Sequence, residues 1–282
     1  MKYVQIDLQG EVAILKINRP ESLNAMNLDV ISDLNRAIDL ISVDQGIKVL
    51  IITGSGERSF CAGADISYMV NIDPVAAEQY ASSAQSMLNK IEKMEKPVIA
   101  AINGFALGGG CELSLVCDLR IASENAKIGQ PEVTIGIPPG WGGTQRLLRI
   151  IGPAKAKEMI YTGKMISAHE ANSIGLVNTV ISISDEDVSK LDPSIDHTNA
   201  KEKNAALSKV LNNKLLDHCM SVAKEITKNS FNAIKVSKML INKGMDADID
   251  TGLRLEIYGW SLCFAHDDRR KLMSQFLNKS KK

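Results

Sequence analysis

An excess of either charge is the first thing missing from this sequence: 33 Lys+Arg stand against 33 Asp+Glu, with a pI near 6.9. Nothing in the overall charge therefore directs the chain to a nucleic acid or an anionic membrane. Long apolar runs are missing too. No segment approaches the roughly eighteen uninterrupted apolar residues that a bilayer crossing needs. The start, Met1-Lys2-Tyr3-Val4-Gln5-Ile6-Asp7, alternates like a strand where a secretion signal would be continuously apolar. The chain is expected to be neither secreted nor membrane-spanning. Cysteine is sparse and unpatterned: Cys61, Cys111, Cys117, Cys219 and Cys263 are odd in number, lack Cys-x-x-Cys spacing and sit mostly among apolar neighbours. They read as buried thiols in a reducing cytosol, so the expected setting is cytoplasmic. Among His169, His197, His218 and His266 no two have metal-ligand spacing, and no metal is expected. The Gly-x-Ser-x-Gly signature of serine hydrolases is absent, since Gly54-Ser55-Gly56 lacks its flanks. A dinucleotide fingerprint is excluded as well, because Leu113 stands where the last glycine after Gly108 and Gly110 would be required.

What the sequence does hold is concentrated between Ile102 and Arg146. Asn103-Gly104-Phe105-Ala106-Leu107-Gly108-Gly109-Gly110-Cys111-Glu112-Leu113 is followed by Gln130-Pro131-Glu132 and by Gly140-Trp141-Gly142-Gly143-Thr144-Gln145-Arg146. Glycine lets the main chain approach a ligand closely, and three in a row before a helix-like segment leave several amide donors unused. Such a turn suits a developing negative charge. Glu112 follows at once and Glu132 comes twenty positions later. Two carboxylates beside a set of backbone donors support proton transfer at a carbon next to a carbonyl.

At 282 residues and 45% hydrophobic composition the chain can bury one large core, with or without an appendage. Val4, Ile6 and Leu8 alternate with polar residues and Val12 to Ile17 resumes the pattern, predicting a hairpin-like pair. From Leu28, the spacing of Ile31, Leu34, Ile38 and Ile41 predicts a helix. Lys48 to Thr53 and Val98 to Ile102 read as buried strands, Pro74 to Met94 as a long helix, Gly54 to Phe60 as a loop, and Cys61 to Ile66 as a stretch of small residues that permits close backbone approach. Leu119 to Ala122, Ala126 to Gly129 and Leu176 to Ile181 are further strands; helices are expected after Gly108, from Gly142 to Arg149, from Ala154 to Tyr161 and from Ser167 to Ser173. The recurrence of strand, loop and helix is structural, without a fixed-period sequence repeat. Ser182 to Asn204, rich in Asp, Ser, Lys and Asn with Pro193 inside it, reads as a solvated linker. It divides a core, 1–204, from a helical region, 205–282, with helices Ala205 to Lys228, Phe231 to Lys243, Ile249 to Ala265 and a short one after Asp267. Those helices either meet a neighbouring subunit or fold back on their own core.

Plainer roles compete for each residue. Glu112 also suits a first-turn acid at a helix N-terminus, and Glu132 a solvated loop residue. Asp65 is read first as the N-cap of the segment that follows it. Arg58 is either an exposed loop charge or a phosphate contact.

Taken together, these residues resemble the enoyl-CoA hydratase/isomerase family, also called the crotonase family. The resemblance lies in Asn18-Arg19-Pro20, Leu23-Asn24-Ala25-Met26, Phe60-Cys61-Ala62-Gly63-Ala64-Asp65-Ile66, Lys96 to Gly104, Ala106 to Leu113, Gln130-Pro131-Glu132 and Gly142-Gly143-Thr144-Gln145-Arg146, in that order. It covers about residues 1 to 181 and resumes through the C-terminal helices with Asp267-Asp268-Arg269-Arg270. The fold it implies is α/β, a crotonase-like spiral of strand–strand–helix repeats with a C-terminal helical region that forms trimers, paired into hexamers. It implies an oxyanion hole from the Ala64 and Gly109 N–H groups and acid/base roles for Glu112 and Glu132. Leu23, Ala62, Asp65 and Ile66 fall where the family lays coenzyme A, with Arg58 at a phosphate and Gly140 near the reactive water. The polar stretch Ser182 to Asn204 departs from the family pattern.

The implied activity is hydration of short-chain 2-enoyl-CoA, crotonyl-CoA or acryloyl-CoA, or the reverse dehydration, with no cofactor beyond the coenzyme A of the substrate. A double-bond isomerase or decarboxylase of the family is the alternative, which Glu112 disfavours because those commonly keep one acid. RNA binding, reported for some members, would need a basic stripe. Lys90 to Lys96 is mixed in charge and Lys279 to Lys282 is only terminal. Two readings of Trp141 stay open: a ring turned inward to fill the far end of the acyl pocket, or one packed at a subunit surface.

Overall fold

A computed structural model describes residues 1–189 and 199–279. Residues 190–198 of the expected linker, with Pro193 and His197, lie outside the described residues, as does the tail beyond Lys279.

Two antiparallel strands, β1 (Val4–Gln9) and β2 (Val12–Ile17), open the chain, and Asn27 caps α1 (Leu28–Val43) by accepting a hydrogen bond from the Val30 N–H. Thereafter each turn of the chain gives one strand to a large sheet and one to a small sheet. The pairs are β3 (Val49–Gly54) with β4 (Ser59–Cys61), β5 (Val98–Ile102) with β6 (Phe105–Leu107), and β7 (Leu119–Ser123) with β8 (Lys127–Gly129). Helices α2 (Ile66–Met69) and α3 (Pro74–Lys93) follow the first pair, α4 (Gly109–Leu115) the second, and α5 (Gly143–Ile151) and α6 (Pro153–Thr162) the third. Then β9 (Met165–Ser167), α7 (Ala168–Ser173) and β10 (Thr179–Ile181) close both sheets, in the orders β1-β2-β3-β5-β7-β10 and β4-β6-β8-β9. This is the strand–strand–helix spiral that the sequence implied. The strands β4, β6 and β9 have three residues each and were not foreseen. A three-residue segment shows too little of a period to mark it, and β4 accordingly lies across the end of the expected loop Gly54 to Phe60.

Side chains of the central strands alternate between two faces, and both faces are covered, which is why these strands read as continuous apolar runs. One face carries Leu15, Leu50, Ile52, Val98 and Ala100 against α1 and α3. The other carries Ile14, Val49, Ile51 and Ile99 against Leu215, Cys219 and Ala223. Those three residues, four positions apart, form one stripe of α9 (Ala200–Thr227). The expected boundary at 204/205 is therefore corrected. The helix starts five residues earlier, at Ala200, and completes the core of its own chain; a short helix, α8 (Asp185–Ser189), also interrupts the polar stretch. Polar composition hid both because solvent-facing helix positions tolerate Asp, Asn and Lys.

Beyond α9, the helices α10 (Phe231–Gly244), α11 (Ile249–Leu262) and α12 (Asp267–Lys279) leave Ile241, Ile249, Ile257, Trp260 and Phe276 exposed. Lys238 on α10 is nevertheless buried. Its Nζ donates to Asp118 Oδ2 at 2.7 Å and to the Lys96 carbonyl at 3.0 Å. Among the described residues no helix is long and apolar enough to cross a membrane.

Candidate active site

The Leu23 to Met26 strap organises one wall. Leu23 and Asn24 have left-handed backbones (φ 52° and 59°), a state uncommon for leucine and more readily adopted by asparagine. Asn24 is fully buried, and its Nδ2 donates to the Ser55 and Ser59 carbonyls at 2.9 and 2.8 Å. The Leu23 carbonyl accepts from the Ala62 N–H at 3.0 Å. Met26 N–H donates to the Gly63 carbonyl at 2.8 Å, and Asp65 N–H to the Met26 carbonyl at 3.0 Å. That pairing uses the groups on either side of Ala64 and leaves the Ala64 N–H out of it.

Opposite stands the start of α4. Gly109 is its first residue, where an N–H has no partner within the helix. Gly63 brings the walls together: with φ +107°, it holds the position of its missing Cβ 2.8 Å from the Leu107 carbonyl oxygen and 3.4 Å from the Gly109 nitrogen. Gly110 is as tightly placed, since a Cβ there would lie 1.9 Å from the Cys61 carbonyl oxygen. The glycine run is thus a contact between β4 and α4 as well as a turn.

Glu112, one turn into α4, is 1% exposed. Its Oε1 accepts from the Trp141 N–H at 2.8 Å and the Gly143 N–H at 2.7 Å. Burial raises its pKa; the N–H groups of Gly143 and Trp141 and the charge of Arg146 act against that rise. Glu132 is 9% exposed and opens a 3-10 turn, Glu132–Ile135. Its Oε1 would lie 3.1 Å from a Cβ on Gly108, so both carboxyls flank the α4 N-terminus. With its amide nitrogen turned to the carboxylate, Gln130 donates to Glu132 Oε1 and Oε2 at 2.8 and 3.2 Å. Burial, with the Glu112 charge adding to it, pushes Glu132 up to about 7.

These groups line a cavity of about 610 Å³ together with Ala62, Ala64, Ile66, Gly109, Gly140 and Trp141. Of the residues the sequence nominated, Leu23, Arg58 and Asp65 do not line it. Leu23 acts through its carbonyl on Ala62. Arg58 is exposed, and its carbonyl accepts from the Phe105 N–H at 3.1 Å. Asp65 has the N-cap role: Oδ1 accepts from the Ser67 N–H at 3.0 Å, while Oδ2 is paired with Arg19 at 2.6 Å. Trp141 is 5% exposed and turned inward, its ring edge-on to Tyr80 at 5.3 Å and seated over Gly109. Sequence reasoning did not single out Tyr80 or Gln130. Tyr80 has the spacing of an ordinary core residue on α3, and Gln130 was noticed only as part of a tripeptide.

The chain has relatives among known proteins over its whole length. Residues 7–212 match the family model described as enoyl-CoA hydratase/isomerase. The chain is 42% identical to a crotonyl-CoA hydratase of Syntrophomonas wolfei, over 100% of this chain and 98% of the relative. It is also 42% identical to a short-chain-enoyl-CoA hydratase of Clostridium acetobutylicum, over 99% and 95%. An enoyl-CoA hydratase structure from Bacillus anthracis superposes with a TM-score of 0.86 at 34% identity, over 98% of this chain and 96% of that one.

Proposed function

Because this chain belongs to the enoyl-CoA hydratase/isomerase family, we propose that it adds water reversibly to short-chain 2-enoyl-CoA thioesters such as crotonyl-CoA, giving the 3-hydroxyacyl-CoA. The observation that carries the reading is the pair of buried carboxyls, Glu112 and Glu132, facing one cavity beside two backbone N–H groups. Disappearance of the enoyl-thioester ultraviolet absorbance when the protein meets crotonyl-CoA tests it, and an unchanged spectrum would refute it.

The Ala64 and Gly109 N–H groups donate to the thioester oxygen, where negative charge gathers as C3 is attacked. Fixed donors of this kind are each worth about 3 kcal/mol. Glu112 has Oε1 committed to two backbone N–H groups, so Oε2 is the atom that takes a proton from water as its oxygen bonds to C3. Glu132, protonated near neutrality, gives its proton to C2. Dehydration reverses the two roles. No dissociable cofactor is part of the proposal, since coenzyme A arrives with the substrate.

The competent pair therefore holds one proton, and its titration belongs to both groups. Glu132 must be protonated for hydration, so kcat/KM for crotonyl-CoA is expected to fall as pH rises through about 7. A rate–pH profile flat from pH 6 to 9 would contradict this.

Trp141 closes the cavity beside Gly109, which favours short acyl groups. Each methylene is worth about 1 to 3 kcal/mol in pocket discrimination. The four-carbon substrate is expected to have a higher kcat/KM than the eight-carbon one, with a flatter series in Trp141→Ala. Better use of the eight-carbon substrate by the unmutated protein would overturn the short-chain reading.

Assembly as a homotrimer, paired into a hexamer, is part of the same proposal. It is supported by the apolar side chains that α10 to α12 leave exposed, a kind of surface that subunit interfaces bury. Light scattering is expected to give a multiple of three subunits, and a monomer would oppose it. A cytoplasmic setting is supported by five cysteines that all remain free thiols.

A further inference from the structure

The loop that holds Glu112 is itself held from outside the cavity. Gln85, Asn89 and Glu92 lie four and three positions apart on α3, on one face of the helix. Gln85 Nε2 donates to the Gly140 carbonyl at 2.7 Å. Arg146, in the first turn of α5, donates through Nε and Nη2 to the two carboxylate oxygens of Glu92, both at 2.9 Å. The same Nη2 donates to Asn89 Oδ1 at 2.7 Å, and Nη1 to the Trp141 carbonyl at 3.2 Å. The loop is shaped around this guanidinium: Gly142 has φ +115°, and a Cβ there would lie 2.1 Å from Arg146 Nη1. The peptide whose carbonyl Arg146 grips is the Trp141–Gly142 link, and the N–H groups just before and just after that link are the two that meet Glu112 Oε1.

We propose that Arg146, clamped to α3 by Glu92 and Asn89, is a positioning residue for the reaction: it fixes the Trp141 and Gly143 N–H groups on Glu112 Oε1 and so aims Oε2 at the reactive water. The proposal rests on the hydratase reading given above. A planar, bidentate guanidinium suits the task because it fixes orientation as well as distance. Arg146 does not line the cavity, so its effect passes through Glu112. Its charge acts on Glu112 in the same sense, favouring the carboxylate.

A double-mutant cycle on the full chain tests this, with crotonyl-CoA hydration as the readout. Arg146→Met is expected to lower kcat by about tenfold or more while KM stays within about threefold, because the coenzyme A contacts are untouched. In a Glu112→Gln background the same substitution is expected to change kcat by less than about threefold, since the group it aims is already gone. General loosening of the fold would reduce kcat by the same factor in both backgrounds, and that result overturns the proposal. So does kcat within about threefold of the unmutated protein in Arg146→Met. If Arg146→Met does not yield folded protein, Glu92→Gln weakens the same clamp and faces the same two comparisons, with a smaller expected loss. Near-normal turnover by Glu112→Gln alone would refute the hydratase roles themselves. Full loss in Glu112→Gln with none in Arg146→Met refutes the positioning role alone.

Discussion

Glu112→Gln and Glu132→Gln are each expected to lower kcat for crotonyl-CoA hydration by at least about a hundredfold, the usual lower range for a positioned acid or base. Glutamine keeps the shape of either site. At position 112 its Oε1 still accepts from Trp141 and Gly143, but the side chain no longer takes a proton from water. At position 132 no proton is available for C2. Both variants are expected to fold, and the pKa of Glu132 gives a second readout. Its ordinary value of 4.5 rises to about 7 in the folded protein, so the stability linked to its protonated form is complete below 4.5 and is lost as pH climbs through 7. Glutamine has nothing to lose over that interval. The melting temperature of Glu132→Gln should therefore gain on that of the unmutated protein between pH 4.5 and 7, measured by circular dichroism. Near-normal turnover in either variant would remove that carboxyl from the mechanism.

Gly110→Ala is expected to be the most damaging single methyl group in the chain. Its Cβ would sit 1.9 Å from the Cys61 carbonyl oxygen and 2.7 Å from the carbonyl carbon. These are backbone atoms, fixed by strand pairing with β6, so neither side can step aside cheaply. A loss of about 3 kcal/mol or more is expected, the upper part of the overpacking range. That corresponds to a fall in melting temperature of roughly 6 °C or more for a chain of this size. Any relief must slide α4 away from β4, which widens the gap between the Ala64 and Gly109 N–H groups and carries Glu112 with it, so activity falls further than stability. Gly244→Ala is the control: nothing lies within 4 Å of a Cβ there, and its expected melting temperature is unchanged or slightly higher. Equal melting temperatures for the two variants would contradict the packing argument.

Much of the fold was legible because its long elements carry strong periods. The helix Leu28–Val43 showed its buried stripe of Ile31, Leu34, Ile38 and Ile41, and the strand Val98–Ile102 its unbroken apolar run. The catalytic candidates were legible for another reason, as motif residues in the company of glycine, which permits close backbone approach, and proline, which fixes the backbone. Contacts between distant parts of the chain were not. The bonds from Trp141 and Gly143 to Glu112 span 29 and 31 positions, and nothing local in Gly140 to Gly143 states that its N–H groups face a carboxylate. The direction of the Trp141 ring likewise depends on Tyr80, which comes from a different turn of the spiral. Of the residues that the resemblance sets beside coenzyme A, Leu23, Arg58 and Asp65 lie outside the lining of this cavity, while Ala62 and Ile66 line it.

The stripe of Leu215, Cys219 and Ala223 that covers the second sheet face has a consequence for the order of events at the ribosome. The strands holding Ile14, Ile51 and Ile99 emerge early, and α1 and α3 can cover only one of their sides. The other side stays bare until α9 has been translated, an interval on the order of ten seconds at ordinary elongation rates. For that time the nascent chain presents an apolar parallel sheet to its surroundings, the kind of surface that sticks to other chains or is held by chaperones. Native closure is therefore a late, C-terminal event, and a pause in translation between Ile181 and Ala200 prolongs the one stage at which the sheet is covered on a single side.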